Sequence, residues 1–155
     1  MVITGTALYI IHLKNNQETG VLKILDTYSG FVYGKWPLEN NGEFVIEFIH
    51  SVNKSPVRET FLIKQKMILP KEVRFYSFGA GMQSDLGEDQ ILNYDGDAMI
   101  ISGFNTAYKE LNYIVGTVSD HVLFINSEII SLRELAEKSA VKHGERNAHI
   151  TIRYR

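Results

Sequence analysis

The sequence predicts a mostly β protein: an antiparallel sandwich or barrel-like single domain with one short C-terminal helix before the last strand. Three observations carry this. Turn signals recur roughly every eight to twelve residues, the spacing of an all-β fold rather than of βαβ units. The apolar runs between them are short and rich in Val, Ile, Phe and Tyr, the residues that suit a half-buried pleated surface. The connections are too short for the crossovers that parallel strands require.

The elements follow in order. The opening "MVITGTALYIIHLK" holds an apolar patch without the basic leader of a signal peptide, and reads either as a first strand at about Leu8 to Leu13 or, over residues 1–13, as the remnant of an N-terminal anchor. Strands are then expected at about Val21 to Leu25, Phe31 to Lys35, Glu43 to Ser51, Val57 to Lys66 and Glu72 to Phe78. Further strands are expected at about Gln90 to Tyr94, Asp97 to Ser102, Asn112 to Val118 and Val122 to Asn126. In "SLRELAEKSAVKHG", Ser131 stands at an N-cap with Glu134 three residues on, a capping box, and Leu132, Leu135 and Ala136 form the apolar stripe. Lys138, Lys142 and His143 suit the negative end of this helix, and Gly144 its left-handed cap. The last strand, Ala148 to Tyr154, turns Ile150, Ile152 and Tyr154 to one face and His149, Thr151 and Arg153 to the other.

Composition narrows the function. The chain has 155 residues, no cysteine and a formal net charge of −2. One domain spanning residues 1–155 is expected, with no linker, repeat or low-complexity segment. Disulfides, thiolate nucleophiles and sulfur-ligated metals are excluded, and the charge does not favour nucleic acid. No apolar run reaches the roughly 18 residues of a membrane span. The five histidines show no ligand spacing, so no metal and no cofactor is expected. In "NYDGDA", Asn93, Asp95 and Asp97 alternate as in a calcium loop, but the place of its bidentate glutamate is Phe104, and Asp95-Gly96 reads as a hairpin turn.

The stretch "FVIEFIHSVNKSPVRETFLI" holds the first candidate site. Phe44, Ile46, Phe48 and His50 share one face of a strand, and Val57, Glu59, Phe61 and Ile63 share one face of the next. Pairing Ile46 with Ile63 and Phe48 with Phe61 brings the two apolar faces together, leaves Asn53 to Pro56 as the turn and sets His50 opposite Glu59. A carboxylate there would orient the imidazole and leave its other nitrogen for a ligand or a proton; equally, the pair would satisfy itself and lock the hairpin. Ser51 faces away from His50, which argues against a serine hydrolase. The second candidate is "SFGAGMQ", whose Gly79 and Gly81 permit close approach of a ligand or a tight bend; it lacks the lysine of a phosphate loop.

Together, "FIHSVNKSPVRE" and "YSFGAGMQ" about twenty residues later resemble the bacterial domain-of-unknown-function family 1850, over about Val21 to Ile152. The positions that match are His50, Ser51, Val52, Pro56 and Glu59, then Ser77, Phe78, Gly79, Ala80, Gly81 and Met82. The resemblance implies a small extracytoplasmic protein, membrane-anchored in its full-length form and often encoded near tripartite ATP-independent periplasmic transporters. No activity is implied. The expectation is a non-catalytic accessory domain that binds a small solute or a transporter subunit through His50, Ser51, Glu59, Ser77, Gly79, Ala80, Gly81 and Met82. Two alternatives stand beside it: an enzyme with His50 as general base, oriented by Glu59 beside the glycine-rich loop, and a purely structural or protein-interaction domain.

Overall fold

A computed structural model of the protein describes residues 19–76, 85–116, 119–138 and 147–155. The expected strand at Leu8 to Leu13, the loop residues Ser77 to Gln83 and the helix-end residues Lys142, His143 and Gly144 lie outside the described residues.

Strands β1 (Thr19–Asp26), β2 (Val32–Glu39), β8 (Glu110–Val115) and β11 (Ala148–Tyr154) make one antiparallel sheet, in the order β2-β1-β11-β8. Strands β3 (Glu43–Ile49), β4 (Pro56–Lys64), β5 (Met67–Phe75), β6 (Ile91–Asp95), β7 (Ala98–Ser102), β9 (His121–Ile125) and β10 (Glu128–Ser131) make the other, in the order β10-β9-β3-β4-β5-β7-β6. Helix α1 (Leu132–Glu137) precedes β11. The result is a two-sheet sandwich rather than a closed barrel.

The core lies where the sheets face each other. Leu22, Ile24, Ile150 and Ile152 of the smaller sheet meet Ile46, Ile63 and Leu123 of the larger, all at 0% exposure. Each such side chain contributes about 1.5–3 kcal/mol through burial. The alternation expected in β11 holds for Ile150, Ile152 and Tyr154, which are buried, but not for Thr151 on the other face, which is also buried and hydrogen-bonded to Thr27 and Asn112. Trp36 is also core, and its indole N–H donates to Glu128 at 3.2 Å. Ser131 caps α1 as expected by accepting from the amide of Glu134, but the Glu134 carboxylate accepts from Lys138 rather than completing the capping box.

Three expectations need correction. β5 begins at Met67, not near Glu72, because Gln65 and Lys66 both adopt positive φ and make a tight hairpin turn without glycine. β10 is an unexpected strand, created in the same way by Asn126 and Ser127, both at positive φ. The β3–β4 register is the third: Ile46 pairs with Glu59, Phe48 with Val57 and Phe44 with Phe61. Glu59 is therefore not opposite His50. The shift is by an even number of residues, so both apolar faces stay on the core side. By contrast, the turn expected at Asp95-Gly96 joins β6 to β7, with Gly96 at φ 59°.

The seven-stranded sheet reaches past the smaller one, whose edge is β8. Beyond β8, a second apolar cluster of Val57, Phe75, Met99 and Ile101 lines the larger sheet, joined by Val73 and Phe104. Pro70 is accommodated in β5 beside a bulge, where Thr60 pairs with Glu72 but Phe61 pairs with Pro70.

Candidate functional site

A cleft of about 560 Å³ opens between the β8 edge and strands β4, β5 and β7. That volume is within the usual range for small-molecule sites, roughly 300–1,000 Å³. Its apolar surface comes from the second cluster, notably Val57, Val73, Phe75 and Ile101, faced by Leu111 and Tyr113 of β8. Phe104 and Tyr108 stand at one end; the Tyr108 backbone is held by a two-bond bridge to Ile68. The polar groups are His50, Glu59, Thr60, Glu72, Asn112 and the hydroxyls of Tyr108 and Tyr113, with no lysine or arginine among the described lining residues.

Glu59 is held from the opposite sheet. The Tyr113 hydroxyl donates to its Oε2 at 2.6 Å. Oε1 carries no hydrogen bond among the described residues. Burial pushes the Glu59 carboxyl above the ordinary range, partly offset by the Tyr113 hydrogen bond. Burial, and then the nearby Glu59 charge, pushes the Tyr113 phenol well above its ordinary value, so it is a donor throughout the physiological range.

His50 does something other than pair with Glu59. It sits just after β3, where its amide donates to Ser55 and its carbonyl accepts from Lys54, closing a turn with Lys54 at φ 53°. The ring Nδ1 accepts from the amides of Val52 and Asn53, both at 3.3 Å. These two amides, not a carboxylate, set the tautomer, and the proton of the neutral ring is on Nε2. A general base built from a His50–Glu59 pair is thus not assembled.

Phe48 and His50 also line a second cavity, of about 620 Å³, together with Lys54, Ile114, Ser119 and His121. The His121 ring stacks on Phe48, with centroids 4.7 Å apart, and tilts against Tyr113 at 5.4 Å. Burial lowers the His121 pKa; the Asp120 charge opposes this and the Arg133 charge adds to it. The Asp120 carboxylate is itself occupied at the start of α1, accepting from the Ser131 hydroxyl at 2.5 Å and the Arg133 amide at 3.0 Å.

Of the predicted site residues, His50 and Glu59 line the same cleft and Ser51 lines the second cavity. Ser77, Gly79, Ala80, Gly81 and Met82 lie outside the described residues. Tyr113 and His121 were not singled out by sequence. Period two in "ELNYIV" does put Tyr113 on the face of Leu111 and Val115, which was the available signal. Nothing in sequence brings His121 to Phe48, because that contact depends on β9 pairing with β3. Among the described residues no group of His, Asp and Glu could hold a metal, and no helix is long and apolar enough to cross a membrane.

These features define an antiparallel β-sandwich with an acidic-rimmed apolar cleft at the edge of its smaller sheet. Residues 44–132, from β3 to the start of α1, match the family described as Domain of unknown function (DUF1850). The match covers more than half of the chain, and the protein belongs to that family. The stretch is narrower at both ends than Val21 to Ile152, but includes the His50 turn, Glu59, Tyr113 and His121. Neither a curated protein nor a solved structure matches the chain.

Proposed function

We propose that the protein is a non-catalytic binding domain that holds a small amphipathic solute in the cleft between β8 and β4-β5-β7. The observation that carries this reading is the Glu59 carboxylate, half-buried among apolar side chains with Oε2 taken by Tyr113 and Oε1 free. Oε1 opens into the cleft rather than being buried, and a ligand N–H would pair with it in surroundings drier than bulk water. With Glu59 and Glu72 in the lining and no lysine or arginine among its described residues, the cleft favours an amine or another N–H donor over a carboxylate. The apolar body of the solute would lie over Val57, Phe75 and Ile101.

In this reading the domain works outside the cytoplasm, anchored in its full-length form and associated with a solute transporter, as the family resemblance suggests. The alternative, that its partner is a transporter subunit, draws on β8: among the described residues this edge strand pairs only with β11, and Ile114 on it is 57% exposed.

The test is a thermal-shift panel of arylalkylamines, amino acids, small carboxylates and divalent metals. A ligand at a hundred times its dissociation constant adds about 2.7 kcal/mol of stability, several degrees in melting temperature. Amines are expected to shift wild type and to fail with Glu59→Gln. Silence from every amine would overturn the reading.

A further inference from the structure

We propose that the second cavity, lined by His50, Lys54, Ser119 and His121, is a binding site for an organic monocarboxylate, independent of whatever fills the first cleft. The two cavities share Phe48 and His50 yet are opposite in charge. Among the described residues, the lining of the first includes two carboxylates and no lysine or arginine; that of the second includes Lys54 and two histidines and no carboxylate.

The histidine donors follow from their surroundings. His50 uses Nδ1 as an acceptor for two amides, so its N–H is Nε2–H. His121 Nδ1 is buried and has no hydrogen-bond partner. A buried N–H without an acceptor is costlier to leave than a weakly solvated lone pair, which places the His121 proton on Nε2 as well. Neither Nε2 has a partner among the described residues. The cavity therefore offers two imidazole N–H donors and one ammonium, with the Ser51 and Ser119 hydroxyls in the same lining. The Ser119 hydroxyl itself donates to the Ile49 carbonyl at 2.7 Å, which leaves its oxygen lone pairs, not its proton, toward a ligand.

The ligand class follows from charge and shape. The Lys54 ammonium, the cation among the described lining residues, balances a monoanion, whereas phosphate near its dianionic state would stay under-neutralised. Phe48, Ile49 and Ile114 supply apolar wall for a hydrocarbon stem. The downward push on the His121 pKa keeps the ring neutral near pH 7, so it acts as a hydrogen-bond donor rather than a second cation. The Asp120 carboxylate next to it does not compete, being held by Ser131 and Arg133.

The test is isothermal titration of the protein with 3-phenylpropanoate and with inorganic phosphate, on wild type, Lys54→Ala and His121→Phe. Phe retains the stack on Phe48 and removes the donor, and Lys54 is exposed, so both variants are expected to melt cooperatively, which is checked first. Expected is binding of the carboxylate in preference to phosphate, weakened about tenfold or more by His121→Phe and several-fold by Lys54→Ala. Carboxylate affinity that is absent in wild type, that is the same in both variants, or that is exceeded by phosphate overturns the proposal. A failure of amines in the first cleft leaves these outcomes unaffected, so the two readings fall separately.

Discussion

The Tyr113 hydroxyl donates to the Glu59 carboxylate at 2.6 Å across the sandwich, from the edge strand of the smaller sheet to a central strand of the larger. It is the polar link between sheets at the place where the apolar core gives way to the cleft. Removing it by Tyr113→Phe keeps the ring and its contact with His121 but leaves a half-buried carboxylate without its donor. The expected loss is about 1–3 kcal/mol, read as a lower urea midpoint with an unchanged slope.

The stability of the protein also depends on the Glu59 proton. Because burial raises its folded-state pKa, the unfolded chain ionises first as pH rises, and the folded state then holds more protons. The stability this contributes is complete below the ordinary glutamate pKa and is lost as pH rises through the folded value. Glu59→Gln removes that dependence. Urea midpoints between about pH 4 and pH 8 are expected to show the variant gaining on wild type as pH rises, whereas parallel curves would contradict the assignment.

His50 separates structure from binding by its two nitrogens. His50→Ala strips the acceptor from the Val52 and Asn53 amides and is expected to cost about 1 kcal/mol, the site being partly solvated. His50→Asn offers an oxygen close to the place of Nδ1 and is expected to recover most of that loss, while lacking the Nε2–H donor. Thermal melting of the two variants side by side checks the first claim, and carboxylate titration of the Asn variant checks the second.

Gly103 leads from β7 into Phe104 at one end of the cleft with φ 82°, and a Cβ there would press on the Asp89 carbonyl. Gly103→Ala combines left-handed backbone strain with that clash and is expected to cost about 2 kcal/mol or more. Chemical denaturation measures it; a loss below about 0.5 kcal/mol, the scale of an uninvolved surface substitution, would show that the loop can move aside.

Much of this was legible in the sequence at the level of faces and little at the level of partners. Period two correctly put Phe44, Ile46 and Phe48 on the core side, and Ile150, Ile152 and Tyr154 with them. It could not select the hairpin register, because a slip by an even number of residues preserves both faces. The actual pairing depends on the turn from His50 to Ser55, closed by the left-handed Lys54, and lysine gives no turn signal. Gln65-Lys66 hid the start of β5 for the same reason, whereas Asn126-Ser127 is a recognisable turn and β10 was missed because its four residues run directly into the cap of α1. His50 and Glu59 line one cleft but are not the cross-strand pair expected from the sequence. Tyr113 and His121 give the site its character through long-range pairing: His121 reaches Phe48 because β9 pairs with β3 in one sheet, and Tyr113 reaches Glu59 and His121 only when the two sheets close.

The central claim is that the cleft beside β8 takes an amine at Glu59. Its most direct test is a heteronuclear NMR titration of the protein with 2-phenylethylamine. The account predicts saturable shifts centred on Val57, Glu59, Ile101 and Tyr113, absent from Glu59→Gln. Shifts that are missing, that scatter over the outer faces of the sheets, or that persist unchanged in Glu59→Gln would contradict it.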